Sequence, residues 1–395
     1  MKKYRIGELG EIFTGNTPSK KNNEFYESED IMFIKPDILS SNITIIKQAN
    51  EYLSEKAREK ARIIPKGSLL VSCIGNIGKL GINIEEVAFN QQINAIVHNS
   101  KISSSKYLAY LLKYNQKKLE SIANAPVVPI INKNQFSNFE LSIHEELEIQ
   151  SKIVEILDKA QELIDKRKEQ IKTLDELVKS QFIEMFGNPS INDKGWMIDK
   201  LSTVVTNIEN GKSFICESFS RSGKYPAILK LSAVTYGIYN ANENKALTDE
   251  SLYVSSVEVK SEDLLFTRKN TPELVGMSAY VYNTEPNLMM PDLIFRFNTN
   301  ENINKIYLWK LINHDLFREK IKSLSNGSAK SMSNISKQRL MELNIPIPPI
   351  ELQKQFADFV KQTDKLKFEM EKSLKELEDN FNALMQKAFN GELFN

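Results

Sequence analysis

A stripe of mainly apolar positions runs through Ile149, Ile153, Ile156, Ala160, Leu163, Arg167, Ile171, Leu174 and Val178, with steps of 4, 3, 4, 3, 4, 4, 3 and 4. A second stripe, through Leu352, Phe356, Phe359, Thr363, Leu366, Met370, Leu374, Leu377 and Phe381, repeats those steps in the same order. Alternating threes and fours mark a coiled-coil seam, and the extra four is a stutter that relaxes the supercoil. One such stripe alone would suit packing on its own globular domain. Two at matching places, with the same irregularity, predict helices that pair with each other. The predicted seam is Ile153, Ile156, Leu163, Ile171 and Leu174 against Phe356, Phe359, Leu366, Leu374 and Leu377, with Leu163, Leu174, Leu366 and Leu377 holding the coils together.

The first helix is expected from about Leu147 to Phe186, which at 1.5 Å per residue is roughly 60 Å long. Gly187-Asn188-Pro189 ends it, because Gly and Asn tolerate a left-handed cap and Pro cannot continue a helix. The second helix stops near Asn390-Gly391. The segments between them repeat as well. Tyr107–Leu112 (YLAYLL) matches Tyr307–Ile312 (YLWKLI), Leu141-Ser142-Ile143 matches Ile345-Pro346-Ile347, and Glu148-Ile149-Gln150 matches Glu351-Leu352-Gln353. β-like runs at 71–84, 92–97 and 278–282, with amphipathic helices at 107–119 and 306–321, describe α+β halves rather than βαβ units. The expected division is 1–146 globular, 147–187 helical, 188–350 globular and 351–395 helical, a tandem repeat with long antiparallel coiled-coil helices and a pseudo-twofold relation.

Composition adds exclusions. The 395 residues are 41% hydrophobic and 26% charged, as in a globular protein of two or three domains. No leader and no run of 18 apolar residues is seen, so a cytoplasmic location is expected. Cys73 and Cys216 alone cannot make a disulfide framework or a four-Cys zinc site. Net charge is only +1, with a small positive excess in the globular halves and a negative one in the helices. Gly75-Asn76-Ile77-Gly78-Lys79 suggests a phosphate loop, but Cys73 stands where the first Gly is needed and Leu80 where Ser or Thr is needed. His98, His144 and His314 are scattered, and no nucleophile elbow or Asp/Asn-Pro-Pro-aromatic motif occurs. No metal or cofactor site of the chain's own is expected.

The repeat-helix-repeat-helix order, the cap Gly187-Asn188-Pro189 and the run Ile345–Gln353 (IPIPPIELQ) resemble the specificity subunit of type I restriction-modification systems. So do Thr14–Ser19 (TGNTPS), Lys35–Ile38, Gly67–Val71 and Asn90-Gln91-Gln92; the first repeat departs in having Glu145-Glu146 where the second has Pro348-Pro349. The resemblance spans the whole chain. It implies two target-recognition domains reading a split DNA sequence, with the coils setting the gap. It also implies no catalysis by this chain: two methyltransferase subunits and motor-nuclease subunits would methylate adenine or cleave unmodified DNA, and would bind the methyl donor and ATP. Readers on one face of a duplex need recognition sites about one helical turn, roughly 34–36 Å, apart, or a multiple of it.

Gly/Ser/Asn-rich loops carrying cations supply the candidate DNA contacts. These are Thr17, Ser19, Lys20, Lys21, Lys35, Asn76 and Lys79 in the first half, and Lys212, Ser213, Arg268, Lys269, Asn270, Lys330 and Ser331 in the second. For each, a merely solvated surface role is the competing reading. Three rival functions stand beside this one: a coiled-coil protein scaffold, which would lack salt-sensitive DNA binding, a recognition subunit of a restriction-methylation enzyme outside type I, and, ranking lowest for want of a clustered Asp/Glu/Lys signature, a nuclease.

Overall fold

The computed structural model describes residues 1–124, 128–325 and 332–394. The chain forms two compact units: residues 1–168 with 372–395, and residues 169–371.

In the first unit a five-stranded sheet runs in the order Gly10–Thr14, Ile93–His98, Leu69–Ser72, Leu80–Asn83, Ile43–Ile46, antiparallel except for its last pair. A four-stranded sheet follows the order Tyr52–Leu53, Ile31–Ile34, Val87–Phe89, Ile63–Ile64, with its middle pair parallel. Lys2–Arg5 pairs with Glu140–Ile143. Helix Ser105–Tyr114 starts where the Ser104 side chain accepts from the Tyr107 amide, and it buries Tyr107, Leu108, Leu111 and Leu112. The single helix expected over 107–119 is broken at Asn115, whose amide side chain turns back to the Leu111 carbonyl. The strand expected from Val71 is interrupted by a loop in which Gly75 and Gly78 take φ of 74° and 80°.

The second unit repeats this order. Its main sheet is Val205–Asn210, Ile294–Thr299, Leu264–Thr267, Ser278–Tyr280. Ala227–Leu229 lies parallel to Leu288–Met289 and antiparallel to Asn244–Ala246, as Ile31–Ile34 does with its two neighbours. Met197–Lys200 pairs with Asn344–Ile347. Asn304 caps helix Lys305–Asn313, and a break at His314 separates it from helix Asp315–Lys322. The two globular halves are therefore one α+β fold used twice.

Two long helices, Leu147–Phe186 and Ile350–Asn390, contribute to both units. In the first unit, Lys168 pairs with Glu378 at 2.8 Å, and the His144 imidazole meets the Ala388 carbonyl at 2.8 Å. In the second, Lys367 bonds Asp175 at 2.6 Å, and the rings of Phe186 and Phe356 lie 5.3 Å apart. Within each unit the helices are antiparallel. Each globular half receives the end of the helix that did not leave it. Phe389 sits 5.8 Å from the Tyr107 ring, as Phe186 sits 4.7 Å from the Tyr307 ring.

The predicted seam needs correction in phase. Ile153 and Phe356 are fully buried, whereas Leu163 and Leu366 are 53% and 48% exposed. Ile156, Ile171, Leu174, Phe359, Leu374 and Leu377 are half-buried. Leu157, Ile164, Ala357 and Val360 are buried instead. Each helix packs on a globular half as well as on its partner helix, so its apolar arc is wider than a two-helix seam and is turned by about one residue. Leu163 and Leu366 fall outside that arc.

A buried glutamine latches each helix start. The Gln150 amide accepts from Ser103 N and donates to the Lys101 and His144 carbonyls. Gln353 does the same with Asn304 N and the Asn302 and Pro348 carbonyls. The change from Glu145-Glu146 to Pro348-Pro349 leaves the latch intact. Among the described residues, no helix is long and apolar enough to cross a membrane.

Candidate nucleic-acid interface

The candidate loops begin at a pair of glycines at equivalent strand ends. Gly15 N donates to Ile93 O and Asn16 N to Phe89 O, at 3.2 and 3.0 Å. A Cβ on Gly15 would collide with the carbonyl oxygens of Phe89 and Asn90. Gly211 N donates to Ile294 O and Lys212 N to Met290 O, at 3.3 and 3.1 Å, and a Cβ there would strike the carbonyls of Met290 and Pro291. Both glycines are required by close backbone approach. The result is a loop laid over the turn that leads into the central strand.

In the first unit this loop presents Thr17, Ser19, Lys20 and Lys21, all exposed. The Thr17 hydroxyl donates to the Gln91 side chain at 2.8 Å, and Asn16 bridges Lys60 O and Arg62 N. The neighbouring loop folds around Ser72, whose hydroxyl accepts from Lys79 N at 2.9 Å. It is tied on either side by Cys73 N to Gln92 O, Gly75 N to Pro129 O and Ile131 N to Cys73 O. Asn76 is exposed at its tip and Lys79 half-buried. The segments at 14–19, 73–79, 90–92 and 128–131 are thereby linked side by side. Lys35 is different, being half-buried, ion-paired to Glu51 and lying over the Phe33 ring. Its charge is already balanced within the protein.

In the second unit Lys212 and Ser213 are exposed. Arg268 is half-buried: its backbone joins Leu293 O and Ile335 N, its side chain donates to Asn334 Oδ1 at 3.3 Å, and it lies 5.2 Å from the Phe295 ring. Lys269 pairs along the backbone with Asn334. Asn270 requires correction as a contact. It is 7% exposed, donates to the Thr235 hydroxyl at 3.0 Å and accepts from Thr271 N at 2.8 Å, so its amide shapes the loop. Lys330 and Ser331 lie outside the described residues. Two residues outside the sequence-derived candidates also border these loops: Gln91, which accepts from the Thr17 hydroxyl, and Lys337, which donates to Ile208 O at 2.6 Å beside the Phe295 ring.

Burial pushes the Cys73 thiol up to about 12, so it stays protonated and serves as an acceptor for the Asn94 amide. Among the described residues, no three His, Cys, Asp or Glu side chains are grouped to hold a metal ion. What the loops offer are hydroxyls, amides and ammonium groups beside exposed backbone, the donors used to position phosphates and to read base edges.

The family model for the type I restriction modification DNA specificity domain matches residues 1–174 and again 193–379. The EcoEI specificity subunit of Escherichia coli is 29% identical over 202 residues, 50% of this chain and 34% of that subunit. The HindI specificity subunit of Haemophilus influenzae is 34% identical over 161 residues, 38% and 34% of the two lengths. The chain thus spans about a third of these two relatives. The MjaVIII specificity subunit of Methanocaldococcus jannaschii is 23% identical over 406 residues, 98% of this chain and 92% of that one. Among solved structures, the S subunit of the type I restriction-modification system from M. genitalium shares the fold with a TM-score of 0.59 at 14% identity, covering 98% and 96% of the two chains. A chain from structural work on the complex assembly and conformational transition of the type I R-M system gives 0.60 at 17% identity, covering 99% and 98%.

Proposed function

Because the chain belongs to the type I restriction modification DNA specificity domain family, we propose that it reads a two-part DNA sequence for enzymes that methylate adenine in that sequence or cleave DNA lacking the mark. The observation that carries this reading is the duplicated glycine-anchored loop cluster, one copy per unit, each presenting exposed cations and short polar side chains. Residues 1–146 and 188–350 act as the two readers, and residues 147–187 and 351–395 as the spacer helices. Lys20, Lys21, Lys212, Arg268 and Lys269 position the phosphate backbone, while Thr17, Ser19, Asn76 and Ser213 reach base edges.

The chain itself is non-catalytic. Two methyltransferase subunits and motor-nuclease subunits are its protein partners, and they bring the methyl donor and ATP. Its near-neutral charge fits a reader whose partners share the electrostatic attraction to DNA.

Single-molecule sequencing of methylated adenines, in cells with and without the gene, tests the proposal. A two-part motif that disappears with the gene supports it, and an unchanged methylation pattern rejects it. Exchanging residues 188–350 for those of a relative should alter one half of the motif only.

A further inference from the structure

We propose that Arg318 is the positioning residue for the DNA-facing loop of the second unit. This rests on the DNA-reading function proposed above. The loop leaves strand Leu264–Thr267 at Arg268 and returns at Ser278. Its returning limb closes on Thr267, with Gly276 N donating to Thr267 O at 2.9 Å and Met277 N to the Thr267 hydroxyl at 3.0 Å. The carbonyls of Val275 and Gly276 then accept from the two terminal nitrogens of Arg318, at 2.6 and 2.7 Å. Gly276 has φ of 75°, and a Cβ there would run into Ile321 on the same helix, Asp315–Lys322. The segment bearing Arg268 and Lys269 is thus fixed to a helix through a two-pronged donor.

The first unit carries a neutral version of this latch. Gly78 has φ of 80° and packs against the Gln116 side chain, whose amide donates to Ile77 O at 3.4 Å. One weak amide bond does in the first unit what a guanidinium fork does in the second.

The guanidinium is also buried, with no direct ion pair among the described residues. Arg318 is 7% exposed, and an arginine does not shed its proton in proteins. Its acidic neighbours are engaged elsewhere, Asp315 with Lys179 and Glu319 with Lys322. Among the described residues, no carboxylate is paired with it. Carbonyl dipoles solvate the cation, and Asp315 and Glu319 act on it electrostatically without pairing with it.

The test uses the full chain with its partner subunits in cells, as Arg318→Met, Arg318→Lys and Gln116→Met, read by adenine-methylation sequencing. A merely structural role would lower methylation without altering the motif. The expected result for Arg318→Met is relaxed sequence preference in one half of the motif, with discrimination there falling about tenfold, and the other half unchanged. Gln116→Met should relax the opposite half, and Arg318→Lys should fall between Arg318→Met and the unaltered chain. An unchanged motif at any level of methylation, or relaxation of both halves by Arg318→Met, overturns the proposal. Should Arg318→Met abolish methylation, Arg318→Lys decides by the same criterion, and total loss with both also overturns it. If the unaltered chain supports no two-part motif, the DNA-reading function itself fails before any variant is compared.

Discussion

Phe389 offers a sharp test of how the fold is held. Its ring is 5% exposed and lies 5.8 Å from Tyr107 and 5.5 Å from Tyr114, in a core shared with Phe381, Met385 and Ala388. Phe389→Ala removes most of a buried aromatic surface, and Phe-to-Ala changes in cores cost about 3–5 kcal/mol. The site lies next to the helix end at Asn390, where neighbours can partly close the gap, so the lower figure applies, about 3 kcal/mol. In native-state hydrogen exchange that is an opening roughly a hundredfold more frequent. Faster exchange is expected in helix Ser105–Tyr114 and strand Ile93–His98, more than 270 residues earlier in the chain. Strands Leu264–Thr267 and Ile294–Thr299 should keep their rates. Phe186→Ala should do the opposite, and because both tryptophans, Trp196 and Trp309, lie in the second unit, their fluorescence follows it alone. Equal acceleration in both units, or acceleration confined to the last helical turn, would refute the reasoning.

Leu163→Glu and Leu366→Glu should each change stability by no more than about 0.5 kcal/mol, whereas Leu157→Glu and Val360→Glu should cost more than about 3 kcal/mol; urea unfolding distinguishes them. Gln353→Leu leaves Asn304 N, Asn302 O and Pro348 O without their buried partner and should cost about 3 kcal/mol, with Gln150→Leu doing the same to the first unit, measured as a drop in that unit's urea midpoint. Burial holds the His314 imidazole below its ordinary value of 6.5. Its contribution to the second unit is therefore complete above pH 6.5 and fades as pH falls below it, because the unfolded chain takes up the proton first. Tryptophan-monitored urea midpoints should decline from pH 7 toward pH 5, and His314→Gln should flatten that decline; an equally steep decline in the variant would exclude His314 as its cause.

Much of the architecture could be read from residue pattern because the pattern is duplicated. Tyr107 and Tyr307 occur in matching helices, and Gln150 and Gln353 serve as matching latches, since burying an amide with three partners admits few substitutes. The Gly187 and Gly391 stops were visible for a similar reason, a left-handed φ of 74° and 81°. Phase was harder. A run of threes and fours gives the period of an apolar stripe but not the width of the surface it faces, so Leu157 and Val360 were passed over in favour of Leu163 and Leu366. The loops were recognisable by composition, yet the fate of single side chains was not. Asn270 is consumed by Thr235, 35 positions away, and Lys35 by Glu51, 16 away. Local pattern carries no record of such pairings. Arg318 went unnoticed because, beside Glu319, Lys320 and Lys322, it reads as one more solvated charge on a helix.

The first unit draws on residues 1–168 and 372–395, while the second is one continuous stretch, 169–371. On the ribosome, then, the half of the protein made first is the half finished last. At about 5–20 residues per second, roughly 14 to 56 seconds separate the emergence of Tyr107 from that of Phe389. Throughout that interval the apolar surface around Tyr107 and Tyr114 lacks the helix that covers it in the finished fold.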